Sequence, residues 1–292
     1  MLDYGMFYSY WSKDWDAEPD ELAERVRRAS ACGFDLFEIN CDALDSWSAD
    51  ERVALRDHAA EHDVDLSFVT TLSPESDISS ADPDTRQRGV EKLTSAIEMV
   101  DEMDGVVLGG IIYGAWNDEF EGGVEEKAVR TERAIDVWRD LSDVAEAHDV
   151  LCTVEVVNRF EQFMLNTAAE ARSFVEAVDS PNLQIMLDTF HMNIEEDDMA
   201  EAIHTAGDWL GHFHVGENNR RPPRPDGSMP WAAIGDALDA IDYDGPVVME
   251  PFLLPGGDVA RDIGVWRDLS DDEDLDELAV ESLTFLETTL GS

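Results

Sequence analysis

Four short stretches place acids and histidines where a strand should be apolar. They are "TVEVVNRFE" with Glu155 and Glu161, "IMLDTFH" with Asp188 and His191, "GHFHVGENNR" with His212, His214 and Arg220, and "VVMEPF" with Glu250 and Phe252. Side chains alternate along a strand, so Glu155 opposes Val154 and Val156, Asp188 opposes Leu187, and Glu250 opposes Met249. If the apolar side faces covering helices, three carboxylates converge on the other side, and His214 joins them when Phe213 faces the helices. Converging buried carboxylates are costly, at several kcal/mol per desolvated ion, and like charges push some of them to protonate. A divalent cation removes both problems. Two Glu, one Asp and one His, with no Cys, form a mixed oxygen and nitrogen donor set. That set suits Mn²⁺, Co²⁺ or Mg²⁺, with Zn²⁺ less favoured. One strand-end Glu alone is as readily a helix cap or part of a satisfied polar layer; four such residues on successive strands call for another explanation. His212, two residues before His214, faces the same way at greater depth and reads as a hydrogen-bonded core histidine.

These residues need a frame that brings four strand ends together. Apolar runs at 3–10, 34–40, 64–71, 105–112, 150–157, 183–189, 210–216 and 245–251 predict eight strands. Between them, 19–31 and 124–147 carry apolar residues at helical spacing, and Pro and Asp mark helix starts in "DPDTRQ" and "MPWAAIGDAL". Eight strands alternating with about eight helices imply a parallel sheet. Their number and the chain length predict an α/β protein forming a single (β/α)₈ TIM barrel over 1–292, whose chemistry sits at the C-terminal strand ends. A doubly wound sheet is the alternative, but it gives no reason for eight similar units. No low-complexity linker divides the chain.

Asp plus Glu number 67 against 20 Lys plus Arg, a net charge of −47 with only three lysines. Such a charge repels itself at low salt, whereas at molar salt the Debye length falls to about 3 Å. The composition therefore predicts a high-salt cytoplasm, with acidic runs such as "EEDD" (195–198) and "DDEDLDE" (271–277) read as solvated helix starts and surface. The same charge excludes nucleic-acid binding, which needs a basic face. No apolar run approaches the roughly 18 residues of a membrane span, and no signal-peptide pattern opens the chain. Cys32, Cys41 and Cys152 lack metal-type spacing and read as reduced, mostly buried thiols.

The stretches "GMFYSYWSKDW", "GFDLFEI", "EVVNRFEQF", "LDTFHMNIEE", "GHFHVGENNR", "VVMEPF" and "GVWRDLS" together resemble the D-tagatose 3-epimerase/D-psicose (D-allulose) 3-epimerase family of ketose 3-epimerases, within the sugar-isomerase/AP-endonuclease-type barrels. The resemblance runs from residue 5 to about 270. It implies one divalent metal per chain, Mn²⁺ or Co²⁺ foremost, on Glu155, Asp188, His214 and Glu250. It implies that Glu155 and Glu250 double as the acid–base pair. It further implies that Glu161, His191 and Arg220 hold the C1–C2 end of a sugar, that Phe7, Trp15, Trp116 and Phe252 shape the rest of the pocket, and that the chain forms a homodimer or homotetramer. Asn218, the Pro-rich loop "RRPPRPDGSMPW" and Phe7 depart from the family pattern at the pocket rim, which leaves the preferred ketose open.

The residue types fit that chemistry. A ketose C3–H is acidified by the neighbouring C2 carbonyl, and a Lewis-acidic cation stabilises the enediolate. Inverting C3 takes one carboxylate on each face of the sugar. Arg220 adds a permanent charge near the developing oxyanion. Aromatic walls discriminate hydroxyl patterns weakly, so broad ketose tolerance is expected. Within the same fold, an aldose–ketose or hydroxypyruvate-type isomerase is the alternative. A non-catalytic sugar-binding barrel is a second, and an AP-endonuclease-like nuclease is disfavoured by the charge.

Overall fold

The computed structural model describes residues 2–291. Strands β1 (Tyr4–Phe7), β2 (Leu36–Asn40), β3 (Asp65–Leu72), β4 (Leu108–Ala115), β5 (Cys152–Val156), β6 (Leu183–Asp188), β7 (Leu210–Val215) and β8 (Val247–Met249) are all parallel. Each pairs with the next and β8 pairs with β1, which closes the barrel. All eight expected strands are present, with ends within three residues of the sequence reading.

Helices wrap the outside: α1 (Pro19–Cys32), α2 (Ala49–Glu61), α3 (Pro83–Glu102), α4 (Val124–His148), α5 (Ala168–Val178), α6 (Thr189–Glu195), α7 (Met199–Ala206), α8 (Trp231–Ala240), α9 (Gly257–Ile263) and α10 (Leu275–Leu290). Local sequence sets their ends. A capping box between Glu18 and Glu21 and Pro19 in the first turn start α1, and Gly33 at φ +96° stops it. Asp82 accepts from the Asp84 amide to start α3. Leu22, Val26 and Ala29 form the buried stripe of α1. The three cysteines are buried and unpaired, as expected.

Two helices were not expected, and both serve the barrel mouth. Asp188 ends β6, and its Oδ1 accepts from the Phe190 amide at 2.7 Å, which starts α6 directly. The other is α9, which folds over the first loop: the Val259 amide donates to Lys13 O, and Asp258 accepts from the Trp15 amide.

The acidic pair Glu195–Glu196 also departs from expectation. It is not a solvated helix start. Glu195 ends α6 and accepts from the backbone amide and guanidinium of Arg159 at 2.6 to 3.1 Å. Glu196 accepts from the Ala168 amide at the start of α5. Together they tie the loops after β5 and β6 to one another.

Gly110 on β4 has φ +109°, and a Cβ there would lie 2.3 Å from the Thr70 carbonyl oxygen. Only glycine meets both conditions. Gly110→Ala is expected to cost about 3 kcal/mol, read as a lower urea midpoint in high salt. An unchanged midpoint would contradict this close approach of β3 and β4.

Candidate metal centre and active site

The candidate acids and histidines gather at the C-terminal strand ends as alternation requires. Val154, Val156, Leu187, Phe213 and Met249 are buried in the apolar layer, while Glu155, His191, His214 and Glu250 line a cavity of about 220 Å³ in the barrel mouth. Asp188 and His214 are register partners across β6 and β7. Ligand-capable atoms of Asp188, His214 and Glu250 lie within 4.8 Å of one another, as do those of Glu155, Asp188 and His191. The four expected ligands, together with His191, thus form two overlapping groups that share Asp188.

Two histidines compete for the ligand role, and their partners separate them. The Nδ1 of His191 receives the Asn158 backbone amide at 3.2 Å and the Asn158 side-chain amide at 2.8 Å. Two donors on Nδ1 reserve its lone pair, which assigns the proton to Nε2. Burial lowers the proton affinity of His191, and the nearby carboxylates, Glu155 first, more than restore it. Its Nε2–H therefore points between Glu155 (3.5 Å) and Asp188 (3.6 Å) as a donor. His214 is arranged the other way: Nε2 lies 2.5 Å from Glu38, while the buried Nδ1 has no hydrogen-bond partner and lies 3.7 Å from Glu250 Oε2. An orphaned buried nitrogen facing two carboxylates fits a cation ligand. The residues therefore fit a divalent cation on Glu155, Asp188, His214 and Glu250.

The other expected contacts surround this centre. Arg220, held at φ +64°, places Nη1 2.7 Å from Glu250 and 3.2 Å from Asp188. Its guanidinium stacks on Phe190 at 3.7 Å. Glu161 accepts from Trp116 Nε1 at 3.0 Å and from Asn158 at 2.8 Å. Burial alone would raise the Glu161 pKa, but His191, Arg220 and these donors lower it below the ordinary value, so the carboxylate stays ionised as an acceptor. Glu155 is shifted upward, because desolvation and Glu250 outweigh His191. Phe7, Trp15 and Trp116 line the cavity. Phe252 does not: it packs behind Phe7 at 6.0 Å and Trp15 at 5.9 Å, so its role is to back the wall. The Pro-rich loop is fastened by buried Glu217, which accepts from the Ser228 amide and Trp231 Nε1. The far side of the cavity is lined by Asp16, Asn40, Asp42, Thr71 and Asp262.

Three residues escaped the sequence reading. Asn158 lies inside a stretch that was singled out, yet only the fold shows that it orients His191 and Glu161. Asp42 is held by Lys92 at 2.8 Å. Glu38, wholly buried in "LFEIN" on β2, interrupts an apolar strand just as Glu155 does, and that signal was available. His212, also wholly buried, has its Nε2 2.8 Å from Glu38, in keeping with a core histidine.

Replacing Asn158 by Ala frees the His191 ring. We expect KM for the sugar to rise about tenfold, the loss of one to two charge-assisted hydrogen bonds. An unchanged KM in steady-state kinetics would contradict the orienting role.

A parallel eight-stranded barrel whose mouth holds this carboxylate and imidazole set defines a class, and the comparisons agree with it. The family model for xylose isomerase-like TIM barrels matches residues 26–283. The D-psicose 3-epimerase of Enterocloster bolteae is 41% identical, with 99% of this chain and 96% of that protein covered. The D-psicose 3-epimerase of Agrobacterium fabrum is 39% identical over 99% of this chain and 100% of its own length. A crystal structure of a D-psicose 3-epimerase in the presence of D-fructose superposes with TM-score 0.94 at 38% identity, covering 100% of both chains. The chain belongs to the xylose isomerase-like TIM barrel family and, within it, to the ketose 3-epimerases. It is accordingly an isomerase.

Proposed function

We propose that the chain is a metal-dependent 3-epimerase of free ketohexoses, interconverting pairs of the D-fructose/D-allulose and D-tagatose/D-sorbose type. The observation that carries this is the unpartnered Nδ1 of His214 facing the carboxylates of Asp188 and Glu250. The cavity volume of about 220 Å³, below the ~300–1,000 Å³ of drug-sized sites, suits a monosaccharide. Asp16, Asp42 and Asp262 on its far side, with Lys92 already committed to Asp42, oppose a phosphate there and favour an uncharged sugar.

A divalent cation on Glu155, Asp188, His214 and Glu250, Mn²⁺ or Co²⁺ foremost with Mg²⁺ also suited to the donors, would supply Lewis-acid polarisation of the carbonyl. The chain's own residues do the rest. Glu155, its basicity raised by burial, takes the C3 proton from one face, and Glu250, three strands around the ring, returns one to the other. In the reverse direction the roles exchange. His191 Nε2–H and the Arg220 guanidinium donate to the sugar oxygens at C1–C2, where negative charge grows. Ionised Glu161 accepts from a sugar hydroxyl. Phe7, Trp15 and Trp116 exclude water from the reacting centre.

The net charge supports a cytoplasm at molar salt; a homodimer or homotetramer rests on the sequence resemblance alone. A ketose panel in molar KCl tests the function, with Mn²⁺, Co²⁺ or Mg²⁺ added back singly to chelator-treated protein. The expected products are C3 epimers, formed only with metal present. An aldose product, or equal turnover without metal, would overturn the reading.

A further inference from the structure

Glu38 has no place in the reaction described above, yet it is the most deeply buried carboxylate near it. It stands in the middle of β2 at 0% exposure, beside Ser67 of β3 in register. Its Oε2 lies 2.5 Å from His214 Nε2 and its Oε1 2.8 Å from His212 Nε2, both on β7. The Ser67 hydroxyl donates to Oε1 at 3.2 Å. The His212 contact is close but off the ring's hydrogen-bonding axis, so His214 is the aligned partner.

A buried carboxylate–imidazole contact at this depth is no stronger a source of stability than a well-packed apolar layer. What it offers instead is orientation. Among these side chains, the His214 ring alone passes from this layer into the cavity. An imidazole that keeps one proton has one donor and one acceptor nitrogen, and a carboxylate only accepts. Glu38 therefore holds the proton on Nε2 and turns the lone pair of Nδ1 toward Asp188 and Glu250. Asn158 imposes the opposite arrangement on His191, which makes that ring a donor. Two buried neighbours thus divide two similar histidines between two tasks.

We propose that Glu38 is a positioning residue that fixes the tautomer and orientation of His214 and thereby sets the affinity of the centre for its divalent cation. This rests on the metal-dependent reading given above. Partners in this position are worth about 10- to 100-fold in metal affinity.

The test is calorimetric titration of Mn²⁺ into chelator-treated parent and Glu38→Gln proteins in molar KCl. Glutamine keeps the volume and one acceptor but loses the charge and must turn an amide N–H toward one histidine. We expect Mn²⁺ to bind the variant about 10- to 100-fold more weakly. A lower melting temperature with unchanged Mn²⁺ affinity would assign Glu38 a packing role only and overturn the proposal. A second measurement needs no variant to fold. Long-range ¹H–¹⁵N spectra of the parent loaded with diamagnetic Zn²⁺ should show His214 protonated on Nε2, and a proton on Nδ1 would overturn the proposal. Parent protein that binds no divalent cation would overturn both this inference and the metal-dependent function. Equal binding by parent and variant would overturn this inference alone.

Discussion

Glu250→Gln and Glu155→Gln should each lower kcat by about 10³-fold or more, at the upper end of what a positioned acid or base contributes. Glutamine preserves shape and, at position 250, can still accept from Arg220 Nη1, which lies 2.7 Å from the carboxylate. It cannot take or return a proton. Because both residues are also expected cation ligands, bound metal must be measured in each variant and assays run at saturating metal. A finer signature separates lost chemistry from lost metal. In D₂O, each single variant keeps one carboxylate and should still exchange the C3 hydrogen of the epimer presented to it, without converting it to the other. The two variants should show opposite epimer preferences. Retained turnover in both, or exchange of both epimers by one variant, would contradict assignment of one carboxylate to each face.

The second large effect concerns stability. At −47 the folded chain carries a strong self-repulsion that dilute buffer barely screens, with a Debye length of about 30 Å at 0.01 M against 3 Å at 1 M. Local pairs such as Arg52–Glu102 at 2.8 Å offset little of it, because partly exposed pairs contribute about 0–1 kcal/mol. Moving from molar to dilute salt should therefore cost on the order of 5 kcal/mol or more, a fall of roughly 10–20 °C in melting temperature. Calorimetry across a salt series checks this. A melting temperature independent of salt would remove the argument for a high-salt cytoplasm.

The barrel and its centre were legible in the sequence for one reason: strand alternation is strict, and acids within apolar runs stand out against it. Glu155, Asp188, His214 and Glu250 were found that way, and the fold brings them together. Glu38 obeys the same rule but lies on β2, far in sequence from the acids that drew notice, so its pairing with His214 emerges only when the barrel closes. Asn158 and the tautomer of His191 were hidden because hydrogen-bond partners depend on loop geometry, which period-2 patterns do not encode. Glu195 and Glu196 were misread because charge alone does not distinguish a solvated carboxylate from one bound to Arg159 or to a helix amide, least of all among 67 acids. Phe252 was expected to shape the pocket itself, but it packs behind Phe7 and Trp15, a layering that strand-end patterns do not encode. Helix α9 carried no strong apolar period, and its place over Trp15 is set by Asp258 and Asp262.

The most direct test of the central claim is to incubate the Mn²⁺-loaded protein with D-fructose in D₂O at molar KCl and to locate the label in the products by NMR. The expected product is D-allulose carrying deuterium at C3, with no aldose formed. Glucose or mannose labelled at C2 as the product, with recovered fructose labelled only at C1, would contradict that claim.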